Sequence, residues 1–155
     1  MVQDILNANR VYQHTNDKIN NRILTDITKT VLYYEKNPDQ IENRLEELSK
    51  EWDIERILET NASILALFGV AGVIFGKREW IILPLVVLSF LLQHAIQGWC
   101  PPIEIFRRMG IRTREEITRE QNLLRAVRGD YNSLTQMKEG DGRPNMETLF
   151  SVFPT

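Results

Sequence analysis

The sequence predicts an all-α fold: an integral membrane helical hairpin of two transmembrane helices, with cytoplasmic amphipathic helices at both ends. Three observations carry this reading. Charge is segregated along the 155 residues: 1–60 hold 12 acidic and 8 basic side chains, 61–100 hold only Lys77, Arg78 and Glu79, and 101–155 hold 9 basic and 8 acidic. Two long apolar runs fill the charge-poor centre. The flanks repeat apolar residues at helical spacing. The averages conceal this, because 43% hydrophobic residues and a net charge of −2 would describe any soluble domain.

Taken in order, the chain divides into a cytoplasmic helical region over 1–57, a two-helix hairpin over 58–100, interfacial and cytoplasmic amphipathic helices over 101–130, and an extended tail over 131–155. In the first region Ile19, Ile23, Ile27, Val31 and Tyr34 recur at four or three residues, one face of a helix. Asn37-Pro38-Asp39-Gln40 reads as a helix start, with an asparagine cap, proline at the first position and glutamine three residues after the cap. The stripe Ile41, Leu45, Leu48 and Trp52 follows, and a bend is expected near Asp53 before the first membrane segment.

That segment, NASILALFGVAGVIFG (Asn61–Gly76), is slightly short of a full span and is extended by Ile57 and Leu58. The second, Trp80–Trp99, is uncharged over about 20 residues, roughly 30 Å of helix, the thickness of a bilayer's hydrocarbon. A tryptophan at each end suits the membrane–water interface. Only Lys77-Arg78-Glu79 separates the two, so they form an antiparallel hairpin. Pro84 falls near the first turn of the second helix, where a missing N–H costs little. The flanks carry Lys50, Arg56, Arg107, Arg108, Arg112 and Arg114 against Lys77 and Arg78 in the connection, which places both termini in the cytoplasm.

After the hairpin, Pro101-Pro102 is expected to stop the helix. Ile103, Ile105, Phe106 and Met109 with Arg107 and Arg108 make a short interfacial piece that Gly110 ends. Thr113-Arg-Glu-Glu116 is a capping box opening a helix with Ile117, Leu124 and Val127 on its apolar side and Gly129 at its C′ position.

Within the hairpin, Ala62, Ala66, Gly69, Gly72 and Gly76 line one face of the first helix; small residues let helices approach closely in lipid. On the second helix Ser89, Gln93, Gln97 and Cys100 share a face that should point at protein or water. Packing of one stripe on the other, within the hairpin or between copies, is the expected arrangement. A polar pathway for a proton or sulfur species is the alternative.

Enzyme chemistry is not expected. No GxGxxG, P-loop or GxSxG occurs. The single cysteine excludes an internal disulfide and a multi-cysteine metal site, and His14 and His94 are far apart in sequence. No basic stripe marks a nucleic-acid surface. No cofactor, metal or small-molecule substrate is predicted. The opening MVQDILNANR lacks the apolar core of a signal peptide.

Together, EWDIERILETNAS, FLLQHAIQGWCPP, RRMGIRTREEI and LRAVRGDY resemble the bacterial inner-membrane family that shares the two-helix domain of YgaP-type proteins. The likeness runs from about His14 to Tyr131. Its core is Gly98, Cys100 and Pro101 with Gly110 following. The resemblance implies a membrane hairpin of unknown function with a tendency to dimerise. YgaP-type members join it to a cytoplasmic rhodanese domain; the catalytic cysteine loop of that domain is absent here, since Cys100 belongs to the membrane motif.

The functional expectation is therefore an oligomerising anchor or scaffold in the bacterial inner membrane, presenting cytoplasmic helices to a partner. Its partners are the lipid bilayer and a second copy or another membrane protein. Two alternatives stand beside it. One is a redox or sulfur relay using Cys100 as a reactive thiol with a separate sulfurtransferase, and the other is an accessory subunit of a larger membrane complex.

Overall fold

The structure, a computed structural model, describes residues 10–132. Among them the secondary structure is helical, with no strand. Its α-helices are α1 (Arg10–His14), α2 (Asp17–Lys36), α3 (Ile41–Lys50), α4 (Ile54–Ile74), α5 (Ile82–Gln97), α6 (Pro101–Arg108) and α7 (Arg114–Arg128). Short 3-10 turns precede α3 (Pro38–Gln40) and α5 (Arg78–Ile81). The tail expected over 131–155 lies, from residue 133 onward, outside the described residues, as do residues 1–9 of the first region.

Two compact units divide the described chain, 10–26 with 51–117, and 27–50 with 118–132. The first contains the hairpin. Asp53 opens α4: its Oδ1 accepts from the Arg56 N–H at 2.8 Å, which supplies the break expected near this residue. After α4, Gly76 takes φ +86°. The Lys77 N–H reaches Gly72 O at 3.1 Å and the Gly76 N–H reaches Val73 O at 3.0 Å, so a left-handed glycine closes the helix with a paired 6→1 and 5→2 bond. The same closure recurs at Gly110, with Ile111 N–H to Phe106 O and Gly110 N–H to Arg107 O, and at Gly129, with Asp130 N–H to Arg125 O and Gly129 N–H to Ala126 O.

At two places the local chemistry differs from its sequence reading. Gly98, in the left-handed region at φ +71°, ends α5 through its N–H to His94 O at 2.7 Å. Pro101 and Pro102 instead begin α6, where the missing N–H groups belong to the unpaired first turn and the fixed φ is already helical. Asn37 does not cap α3; its side-chain amide donates to Tyr33 O at 2.8 Å, closing the end of α2, and a 3-10 turn at Pro38 intervenes. The capping box at Thr113 is formed: the Thr113 N–H donates to Glu116 Oε2 at 2.9 Å, and the Glu116 N–H donates to Thr113 Oγ1 at 3.3 Å.

The apolar core of the first unit is the cluster Val11, Ile54, Leu58, Cys100 and Ile103, with Leu91, Phe106 and Ile111 packed against it. Beside it lies a buried polar core centred on Arg107. All five of its N–H donors are used: Nε to Thr15 Oγ1 (3.3 Å), Nη1 to Ile111 O (3.2 Å) and Glu116 Oε2 (2.6 Å), Nη2 to Asn20 Oδ1 (2.9 Å) and Glu116 Oε1 (2.8 Å). A buried guanidinium is tolerable only when paired and fully hydrogen-bonded in this way. The network ties α1, the start of α2, α6 and α7 together.

In the second unit Ile27, Ile41, Leu48 and Leu124 are buried. The buried Glu120 carboxylate accepts from Arg44 Nη2 at 2.9 Å, and Arg128 bridges Glu42 and Asp130.

Candidate functional site

The feature that sets this molecule apart is the outer surface of the hairpin. α4 is 21 residues and the stretch Arg78–Gln97 is 20, so each is about 30 Å long at 1.5 Å per residue. Both are long and apolar enough to cross a membrane, with mean hydropathy 1.8. Only 17% and 6% of the residues in the apolar 18-residue window of each are buried. A core helix of a soluble bundle would be mostly covered; here Leu67, Phe68, Ile74, Leu85, Leu92 and Ile96 are all exposed.

The seam inside the hairpin is short and close. A Cβ on Gly69 would stand 2.3 Å from Pro84 Cδ, and one on Gly72 would stand 2.6 Å from the Trp80 ring. Ala62 is buried and Ala66 half-buried on the same stripe. Gly76 faces open space; its place is the turn, where positive φ requires it. So the small face of α4 meets Pro84 and Trp80 at the start of the second helix.

The polar stripe of α5 lies apart from that contact. Ser89 and Gln97 are exposed and Gln93 half-buried. Ser89 donates back to Leu85 O at 2.7 Å, and Gln93 Nε2 donates to Gln97 Oε1 at 3.4 Å. The side-chain bonds on this ladder are therefore made along its own helix, and the ladder remains open on the outside of the hairpin.

Cys100 is fully buried in the apolar cluster. A reactive cysteine needs a cationic, accessible setting, and this position has neither. His94 lies at the far end of α5, its Nδ1 buried without a hydrogen-bond partner. It lines a cavity of about 270 Å³ with Arg10, Glu55 and Glu115. These three were not singled out from the sequence, because they come from helices separated by at least 40 positions and share no local pattern.

The ends of the hairpin away from the Lys77-Arg78-Glu79 connection are strapped by ion pairs. Arg112 Nε bonds Glu51 Oε1 at 2.8 Å, Arg114 Nε bonds Asp53 Oδ2 at 3.0 Å, and the Ile54 N–H bonds Arg112 O at 2.9 Å. The segment entering α4 is thereby held to the segment leaving α6. Arg56 stacks over Trp52 at 4.2 Å from the ring centroid.

No family model, curated protein or solved structure matches this chain.

Proposed function

We propose that this chain is a small non-enzymatic membrane protein, a hairpin anchor that self-associates and presents helical units on the cytoplasmic side. The single observation that carries the reading is the uncovered apolar surface along both hairpin helices. Leaving this much apolar area in water is unfavourable at about 25 cal/mol per Å², and contiguous apolar patches of such size mark an interaction surface. Two adjacent spans of bilayer length, with Trp80 and Trp99 near their ends, fit lipid.

The short α6 fits the membrane interface. Ile105 and Met109 point outward beside Arg108, while Arg107 turns inward to Glu116. A helix with one arginine turned inside and its neighbour exposed beside outward apolar residues, directly after a span, suits the headgroup boundary. Lys50, Arg56 and the four arginines after the hairpin outnumber Lys77 and Arg78, supporting cytoplasmic termini and, with the resemblance to YgaP-type two-helix domains, a bacterial inner membrane.

Self-association follows from the open ladder Ser89, Gln93 and Gln97. An amide facing hydrocarbon lacks partners, and a second copy supplies them. Purification in mild detergent with native mass measurement tests this. A small homo-oligomer is the expected product, converted towards monomer by Gln93→Leu with Gln97→Leu. A monomer in the unaltered protein would overturn it, and a stoichiometric second protein would make the hairpin an accessory subunit instead.

A further inference from the structure

We propose that the thickness of the surrounding bilayer sets how strongly this hairpin self-associates, through the depth at which Gln93 and Gln97 sit on α5. In a thin bilayer the two amides reach headgroup water. In a thick one they lie in hydrocarbon, and a second copy covers them. The inference rests on the membrane and self-association readings above and adds what regulates the pairing.

The exposed apolar belt is shorter than the helices that carry it. The first helix and its exit hold neither a charge nor a side-chain amide over residues 62–76, and the second helix holds none over 80–92. Each stretch rises roughly 20 Å along its helix, against about 30 Å of hydrocarbon in a typical bilayer. Both helices turn polar at the same end of the hairpin: Glu59, Asn61 and Gln97 are exposed there and Gln93 is half-buried. The opposite end is pinned to the interface by the charged turn Lys77-Arg78-Glu79 and by Trp80, which is 43% exposed. Any difference between belt and bilayer therefore falls at the strapped end, where the amides are.

The polar groups at that end differ in what they still need. Ser89 donates to Leu85 O at 2.7 Å and Asn61 donates to Ile57 O at 2.8 Å, so both spend their donors within their own helix. Gln93 Nε2 donates to Gln97 Oε1 at 3.4 Å, which leaves Gln93 Oε1 and Gln97 Nε2 without a partner among the described residues. One is an acceptor and the other a donor, so the ladder is complementary to a copy of itself. The small face of α4 is not free to compete, because Gly69 and Gly72 already meet Pro84 and Trp80 within the hairpin.

An amide group without a partner is costly in hydrocarbon, and water at headgroup level satisfies it as well as a second copy does. Where the hydrocarbon is no taller than the belt, water reaches Gln93 and Gln97 and pairing gains little. Where it is taller, the bilayer must thin around the hairpin or a second copy must cover the ladder.

The test uses the full chain in phosphatidylcholine vesicles with either short myristoleoyl or long erucoyl chains, at equal protein-to-lipid ratio. Association is read by energy transfer between copies labelled at the N-terminus, and flotation confirms insertion. Association is expected to strengthen at least about tenfold from the short to the long chains, the scale of two interhelical hydrogen bonds. Gln93→Leu with Gln97→Leu is expected to stay weakly associated in both. Moving the amides one turn deeper, by Ser89→Gln with Gln97→Leu, is expected to keep association strong in the short-chain bilayer as well. Equal association of the unaltered protein in both lipids overturns this inference and leaves self-association standing. A steep thickness dependence that survives in the double leucine variant also overturns it, since the ladder would then not be the sensor. An inserted protein that associates in neither lipid overturns the self-association reading itself.

Discussion

Arg107 shows how much one side chain decides in this molecule. It donates through every N–H it has, and its carboxylate partner, Glu116, also accepts from the Thr113 N–H just before its own helix. Removing one partner of a buried pair leaves an uncompensated charge, at a cost of about 3–5 kcal/mol. Arg107→Met is therefore expected to lower stability by that amount in chemical denaturation, with Arg107→Met plus Glu116→Leu recovering much of the loss. Equal stability of Arg107→Met and the parent would contradict the network. Nothing in the sequence marked Arg107 out, because it sits beside Arg108 in an interfacial-looking stretch and its partners Thr15 and Asn20 are about 90 positions away. Cys100, by contrast, was legible as a possible packing residue. Fully buried, it is expected to alkylate at neutral pH at least about tenfold more slowly than an ordinary thiol and to become reactive on denaturation. Rapid labelling of the native protein would revive the sulfur-relay reading.

At the level of elements, the left-handed glycines were readable one by one while the prolines were not. Gly110 and Gly129 follow amphipathic runs, and their positions after helix ends were evident from pattern. Pro101-Pro102 gives the same sequence signal whether it stops one helix or starts the next; the choice is made by Gly98, which Arg10 covers. A Cβ there would come within 2.3 Å of Arg10 Cβ and would oppose positive φ, so Gly98→Ala is expected to destabilise by about 1–2 kcal/mol and to fray the end of α5, seen as lost amide protection over 94–98. Unchanged protection would contradict the closure. In the hairpin, Gly69→Leu is expected to part α4 from Pro84, measured as a longer distance between spin labels on the two helices. At the end of α7 a titration is expected as well. The Arg128 guanidinium hydrogen-bonded to Asp130 holds that carboxyl below the usual range. Its contribution is thus present above the ordinary Asp pKa and lost as pH falls through the lowered value, so amide protection at 129–130 should fall only in strong acid.

Across the whole molecule, the segregation of charge in the sequence and the uncovered apolar helices in the structure are two views of one fact. The central 40 residues carry too little polarity to face water, and the folded chain does not cover them. Helical class and the hairpin were legible for that reason, since length and composition alone specify them. The ion-pair straps between Glu51 and Arg112 and between Asp53 and Arg114 were not, nor was the cavity of Arg10, Glu55, His94 and Glu115, because long-range pairing leaves no periodic trace. These straps hold the two ends of the hairpin together, so in the proposed spanning hairpin they share one side of the bilayer. The most direct test is accessibility of single cysteines to a membrane-impermeant maleimide, in a Cys100→Ala background, on intact cells stripped of their outer barriers. A spanning hairpin requires Lys77→Cys to label from outside and Arg108→Cys to label only after permeabilisation. Labelling of both from the same side, or recovery of the protein in the soluble fraction, would contradict it.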